Sequence, residues 1–389
     1  MMQTILDNAT LWIGDGRRMD GHVVVRDGVI EAVERGRYAG ANGVVDLAGA
    51  ALSPGLIDIM VNGGFGHSPF LGEVLPLARD YLPLGVTSIQ MCTGSRPWEE
   101  LATAAESCDR AVAYEDTDAA RVTGLYMEGP FLESKGAHLQ RHLRAPTPDH
   151  VRYVLDRFGT SMQMINVSPG TEHCVEAIGA CCAAGKTVTM AHSSASAEEV
   201  HACLDAGTSQ LGHAWDNNNG RQTEPGSPQP TLEHVALVDP RVRFLHVITD
   251  GVHVHPVLVN LMVRCRGLES ICVVSDALPC TGIAEHEMEH DDGRGIFRQE
   301  GAWRITESGS LMGTALLLPD QFRNFVDMTG VAPHEAVRTV TGNPAAALDL
   351  QDRIGLLAPG RSADLVAWDE RLRVTRVWRA GAEVAEVVS

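Results

Sequence analysis

Between about residues 53 and 345 the chain alternates: short apolar runs of strand length are each followed by a stretch of helical periodicity. The strand-like runs are 56–61, 86–92, 122–127, 162–167, 187–191, 209–212, 242–248 and 271–275, the sixth being the weakest. Amphipathic stretches such as EELATAAESCDRAV, TEHCVEAIGACCAAG and SAEEVHACLDAG lie between them. Strands that alternate with helices predict an α/β fold, and eight of them predict a (β/α)8 TIM-like barrel. An open doubly wound sheet is the alternative that fits the same pattern.

Both ends of the chain read differently. ATLWIG and HVVVRDGVIEAV, with an Asp27-Gly28 hairpin turn, open it, and ADLVAWD and RVTRVWRAGAEVAEV close it. Strand-rich ends around a different middle predict a small β-sandwich domain from residues 1–52 plus 350–389, with the barrel over 53–349. At 389 residues and 44% hydrophobic content, the chain is long enough for one large core and a satellite.

The formal charge of −19 lacks the basic surface that nucleic acid or an anionic membrane needs, so neither is an expected partner. Nine cysteines without a CxxC pair suit reduced thiols in a cytoplasm. The opening MMQTILDNATLWIGDG shows no basic segment followed by an apolar one, which agrees with a cytoplasmic protein.

In a barrel of this kind the chemistry lies where strands end. Strand three ends at Glu128 in LYMEGPFLESKGAH, strand five at His192 in TMAHSSAS and strand six at His213 in LGHAWDNN. Strand seven ends at Asp250 in VITDGVH and strand eight at Asp276 in VVSDALPCTG. Burying a carboxylate such as Glu128 costs several kcal/mol unless it is paired or meets a cation. Two imidazoles and a carboxylate make a three-ligand set for Zn²⁺ or a similar ion, and an unligated Asp276 beside the metal's water is the natural general base. Taken singly, each residue has a plainer role: a lone histidine is usually a hydrogen-bonded structural residue, and a lone aspartate often caps a helix. It is the convergence of five on one rim that points to a metal site. His286-Glu287-Met288-Glu289-His290 fits the H-E-x-x-H of zinc peptidases, but its surroundings offer a helix no apolar face. The segment reads as a solvated loop.

With LSPGLIDIMVNGGFG, LYMEGPFL, KGAH, MAHSSAS, ITDGVHVH, VVSDALPCTG, GSLMGTALLL, TGNPAAALDL and GLLAPGRSADLVAWD in this order, the chain resembles the N-acetylglucosamine-6-phosphate deacetylase family of the amidohydrolase superfamily. The resemblance implies a metal-dependent barrel with a β-sandwich from both termini, and a homodimer. It places the metal ligands on Glu128, His192 and His213 and the catalytic carboxylate on Asp276, with His138 polarising the acetyl carbonyl of a small N-acetylated substrate. Substrate contacts fall on Ala137 and His138, on Asp216 and Asn217, on Asp250 and His253, and on Leu311, Met312 and Gly313. Many amidohydrolases open strand one with His-x-His and end strand four with lysine; here stand Met60-Val61-Asn62 and MINVSP. One divalent ion per chain is therefore expected, Zn²⁺ first, with Fe²⁺, Mn²⁺ or Co²⁺ as other candidates.

The chain departs from that family at the phosphate. Asp216 stands in place of an asparagine, and Thr223, not arginine, precedes Glu224-Pro225-Gly226. An aspartate repels a dianion and a lost guanidinium removes a bidentate partner. Either Arg221, two residues upstream, replaces it, or Arg221 is a solvated loop residue and the substrate is neutral or cationic; the charge balance favours the second. Two other readings stay open: the same scaffold acting on another N-acyl or cyclic amide, and a catalytically silent barrel serving as an interaction module.

Overall fold

The computed structural model describes residues 3–40, 42–217, 229–385 and 387. The chain begins with β1 (Gln3–Trp12), β2 (Arg18–Arg26), β3 (Val29–Arg35), β4 (Val44–Asp46) and β5 (Ala51–Pro54). Asp27 and Gly28 between β2 and β3 have φ of 50° and 83°. Two successive left-handed residues are what a two-residue hairpin turn demands, and Asp-Gly accepts them with little strain.

One residue after β5, the alternating part starts: β6 (Leu56–Val61), α1 (Val74–Tyr81), β7 (Val86–Thr93), α2 (Trp98–Val112), β8 (Arg121–Phe131), α3 (Pro148–Phe158), β9 (Met162–Val167) and α4 (Cys174–Ala183). It continues with β10 (Thr187–Met190), α5 (Ala197–Asp205), β11 (Gln210–Leu211), α6 (Leu232–Val238), β12 (Phe244–Val247), α7 (Pro256–Arg266) and β13 (Ile271–Val273). These eight strands form one sheet in chain order, each pair parallel. A parallel bridge from Val61 to Ala277 joins its two edges. The Asn62 N–H donates to the Ala277 carbonyl at 2.8 Å and the Asp276 N–H to that of Met60 at 3.0 Å. The sheet is a closed barrel, not the open alternative. Its helices lay apolar stripes on it, as α2 does with Leu101, Ala104, Ala105 and Cys108.

A part absent from the sequence-based expectation follows β13. β14 (Glu287–Glu289), β15 (Gly295–Gln299), β16 (Ala302–Ile305) and β17 (Leu311–Thr314) form a small antiparallel sheet before α8 (Leu318–Thr329). The H-E-x-x-H segment lies here, so it is neither a helix nor a free loop: Glu287, Met288 and Glu289 pair with Phe297, Ile296 and Gly295. Pairing satisfies the backbone while both glutamates stay exposed, which is why no apolar periodicity announced it.

The last strands are β18 (Leu365–Trp368), β19 (Val374–Arg379) and β20 (Ala382–Glu383). They join the first ones in a sheet ordered β20-β19-β18-β5-β1-β2-β3, with β4 on β1. Leu6, Leu11, Val23, Leu52, Leu365 and Trp378 share its core, which draws on both ends of the chain. Among the described residues no helix is long and apolar enough to cross a membrane.

Candidate active site

Strand β8 runs past its expected end, so Glu128 sits inside it rather than after it. His192, His213 and Asp276 follow β10, β11 and β13 by two to three residues. His192 and Asp276 adopt φ of 54° and 52°, and Trp215 and Asn217, just after His213, φ of 68° and 55°. Left-handed backbone is uncommon for such residues and breaks each strand at its end. Neighbouring loops hold these turns. Glu133 accepts the Ser194 N–H at 2.7 Å and its hydroxyl at 2.8 Å, and the Ser134 N–H donates to the His192 carbonyl at 3.0 Å. The loop of His138 and the loop of His192 are thereby tied to each other. Ser196, four residues after His192, then forms a capping box with Glu199 that starts α5. On the other side, buried Glu233 accepts the Trp215 N–H at 3.0 Å.

Three imidazoles surround Glu128. His213 Nε2 lies 2.8 Å and His192 Nε2 3.0 Å from the same oxygen, Oε1, while His138 Nε2 lies 3.5 Å from Oε2. One ligand atom each from Glu128, His138 and His192 falls within 4.8 Å of the others. The histidines are not equivalent. The Ser95 N–H donates to His138 Nδ1 at 2.9 Å, so neutral His138 carries its proton on Nε2 and faces the cluster as a hydrogen-bond donor. His192 and His213 have Nδ1 atoms that are buried and without a hydrogen-bond partner. A proton on either Nδ1 leaves an Nε2 lone pair facing a carboxylate oxygen, which is repulsive unless a cation lies between them. Glu128, His192 and His213 thus fit a divalent ion by their donor chemistry.

The charges suit a cation here without demanding one: burial opposes a charge on His213, but Glu128 outweighs it and raises His213 to about 10, so a protonated His213 also supplies positive charge. Burial opposes ionisation of Glu128, but the imidazoles around it hold its carboxyl well below the usual range. Burial, and then the charge of Glu128, push Asp276 up. A positive charge in the cluster is what allows both carboxylates to be ionised together. Asn62 Nδ2 donates to Asp276 Oδ1 at 2.8 Å, which leaves Oδ2 for a proton.

These groups open into a cavity of about 90 Å³. Of the expected residues, Glu128, Ala137, His138, His192, His213, Asp216, Asn217, Asp276 and Met312 line it. Asp250, His253, Leu311 and Gly313 do not, and Arg221 lies outside the described residues. The Asp250 carboxylate turns back on its own loop, accepting the N–H groups of Val252 and His253 at 2.8 Å and pairing with His253 Nδ1 at 2.5 Å. That is a turn closed by the aspartate onto its own backbone, while the following helix is capped by His255. Sequence reasoning missed Asn62, Phe70, Ser95, Arg96, His290, Asp291, Asp292 and Arg294, which also line the cavity. Arg96 was within reach of the sequence, since it follows the end of β7 by three residues.

Gly136 marks how tightly the loop is laid over the cluster. Its φ is 49°, and a Cβ would stand 2.6 Å from His192 Cε1 and 2.9 Å from Asn217 Cγ. Gly136→Ala should lose roughly 1–2 kcal/mol of stability through the left-handed backbone alone. It should also weaken metal binding by displacing His192. Urea denaturation and a metal titration check this, and an unchanged affinity would mean that the loop does not press on His192.

The amidohydrolase family model matches residues 157–384. The N-acetylgalactosamine-6-phosphate deacetylase of Escherichia coli O157:H7 is 30% identical over 98% of this chain and 99% of its own. The N-acetylglucosamine-6-phosphate deacetylase of Vibrio furnissii is 26% identical over 92% and 88%. Among solved structures, N-acetyl-D-glucosamine-6-phosphate deacetylase from Mycobacterium smegmatis superposes with a TM-score of 0.87 at 26% identity, covering 99% of this chain and 100% of that one.

Proposed function

The chain belongs to the amidohydrolase family, and from that premise we propose that it removes the acetyl group from an N-acetylated amino sugar, releasing acetate and the free amine. The observation that carries this is the meeting of Glu128, His192 and His213 with the donor His138 and the carboxylate of Asp276 at one cavity. The names of the relatives, deacetylases of N-acetylated hexosamine phosphates, support the same substrate class.

In this reading Glu128, His192 and His213 hold one divalent cation, Zn²⁺ first among the candidates. When bound, it supplies Lewis acidity toward the acetyl carbonyl and acidifies water. Asp276 takes the water's proton on Oδ2, the oxygen left open by Asn62, and returns it to the departing amine nitrogen. His138, its proton fixed on Nε2 by the Ser95 N–H, donates to the oxygen on which negative charge develops. The remaining cavity wall binds and orients the sugar.

A single ion is favoured because Asn62, at the end of β6, is engaged with Asp276 where other amidohydrolases present histidines. The proposal also keeps the homodimer and the cytoplasmic setting, which ultracentrifugation and fractionation test. The second reading, an N-acyl or cyclic amide without phosphate, is favoured by one observation: Asp216 lines the cavity.

The purified, Zn²⁺-loaded protein should release acetate from N-acetylglucosamine 6-phosphate or N-acetylgalactosamine 6-phosphate, and elemental analysis after dialysis should find about one ion per chain. No acetate from either sugar phosphate or from the free sugars would refute the activity. Two tightly held ions, or none under any loading condition, would refute the single site.

A further inference from the structure

We propose that Asp58, buried inside β6 and away from the cavity wall, is a positioning residue that holds the proton-transferring Asp276 in place across the seam of the barrel, a role that rests on the deacetylase reading above. The seam is thinly paired. Among the described residues its edges share a single parallel bridge, Val61 to Ala277. β13 ends at Val273, three residues before Asp276, and beyond it each N–H finds an acceptor of its own. The Val274 N–H donates to the Val247 carbonyl at 3.1 Å, the Asp276 N–H to that of Met60 at 3.0 Å and the Ala277 N–H to Ser275 Oγ at 3.1 Å. The Ser275 N–H, directly before Asp276, donates to Asp58 Oδ1 at 3.2 Å.

The same oxygen accepts the Met60 N–H at 3.3 Å. One atom therefore holds both the residue that precedes Asp276 and the residue whose carbonyl receives the Asp276 N–H. Asp276 needs such support. Its φ of 52° is a sparsely populated conformation that persists only where the surroundings over-determine it. Packing does not account for an acid at position 58. Asp58 is fully buried, and its Oδ2 has no hydrogen-bond partner among the described residues. A buried carboxylate with one oxygen unmet destabilises the core around it, so its effect on the turn is what offsets that cost. Asn62 fixes the side chain of Asp276, and Asp58 fixes its backbone. Without Oδ1 the Ser275 N–H becomes a buried donor with no acceptor, and the turn is free to shift. Misplacing a reacting group by about 1 Å can cost about 10²-fold in rate.

The test compares Asp58→Asn, whose side-chain oxygen can still accept, with Asp58→Leu and Asp58→Ala, which cannot, all loaded with Zn²⁺. In Asp58→Leu and Asp58→Ala, kcat for the sugar phosphate that the wild type hydrolyses should fall by about 10- to 100-fold, with KM within about twofold and metal content unchanged. Asp58→Asn should keep kcat within about threefold of the wild type, because the turn needs the acceptor and not the charge. Hydrogen exchange read by mass spectrometry is independent of turnover. The peptide covering residues 271–278 should exchange at least about tenfold faster in Asp58→Leu than in the wild type or Asp58→Asn, while peptides from α2 stay as they were. If the wild type hydrolyses none of the sugars, the deacetylase reading fails, and the exchange alone decides whether Asp58 holds the turn. Unchanged kcat in Asp58→Leu, a rise in KM or a loss of metal that accounts for the fall, or a loss in Asp58→Asn as large as in Asp58→Leu would each overturn the proposal. So would unchanged exchange, or failure of both Asp58→Leu and Asp58→Ala to fold, which would make the residue structural.

Discussion

Asp276→Asn is expected to keep its metal and lose about 10³-fold or more in kcat, because an amide can neither accept nor return the proton. Asparagine is the right replacement here. Asp276 sits at a φ of 52°, which asparagine tolerates better than most residues, so the turn and the barrel closure through its N–H should survive. Its Oδ1 can still accept from Asn62. The loss is then chemical, and single-turnover kinetics beside elemental analysis will separate it from a metal defect. If the variant came out metal-free, Asp276 would be a ligand, and the assignment of roles to Glu128, His192 and His213 would fall with it.

His192→Asn and His213→Asn should behave in the opposite way. Removing a partner that merely orients a metal ligand weakens metal binding by roughly 10–100-fold, so deleting a ligand should exceed that. Both variants should therefore be purified nearly empty and inactive, with part of kcat returning at high metal concentration. Competition with a fluorescent chelator measures the affinity. His138→Asn supplies the contrast: with its Nδ1 engaged by Ser95, His138 should affect kcat while leaving the metal in place. Metal loss in His138→Asn with retention in His213→Asn would favour the alternative set of Glu128, His138 and His192.

Much of the barrel was legible because its strands are buried on both faces and its helices on one, so the hydrophobic period switches visibly at each junction. β11 was faint for a physical reason: only Gln210 and Leu211 pair, and Gln210 is a buried polar residue held by His246 and Ala347 rather than an apolar one. The strand-end rule led to Glu128, His192, His213 and Asp276, which line the cavity, although Glu128 lies inside β8; the rule gives position without direction. Asp250 satisfies the rule and turns its carboxylate onto its own backbone. The small sheet of β14 to β17 escaped because its first strand is exposed on alternate residues and carries charge, like a loop. The contact of Arg96 with Asp291 escaped for another reason. Arg96 and Asp291 are 195 residues apart, and no local pattern in either segment announces the other. Asn62 was visible only as a histidine that is missing; its partner Asp276 lies 214 residues away.

The seam that closes the barrel has a consequence for when the site exists at all. Asn62 and Asp276 meet across the junction of β6 and β13, the first and the last of the eight strands to leave a ribosome. A nascent chain that has made only the first seven already holds the strands that carry Glu128, His192 and His213, since β8, β9, β10 and β11 are consecutive in the unfinished sheet. It cannot bring in the base. If those three residues are the ligands, metal capture is expected before closure and hydrolysis only after the eighth strand has docked, so a half-made chain should be a chelator before it is an enzyme.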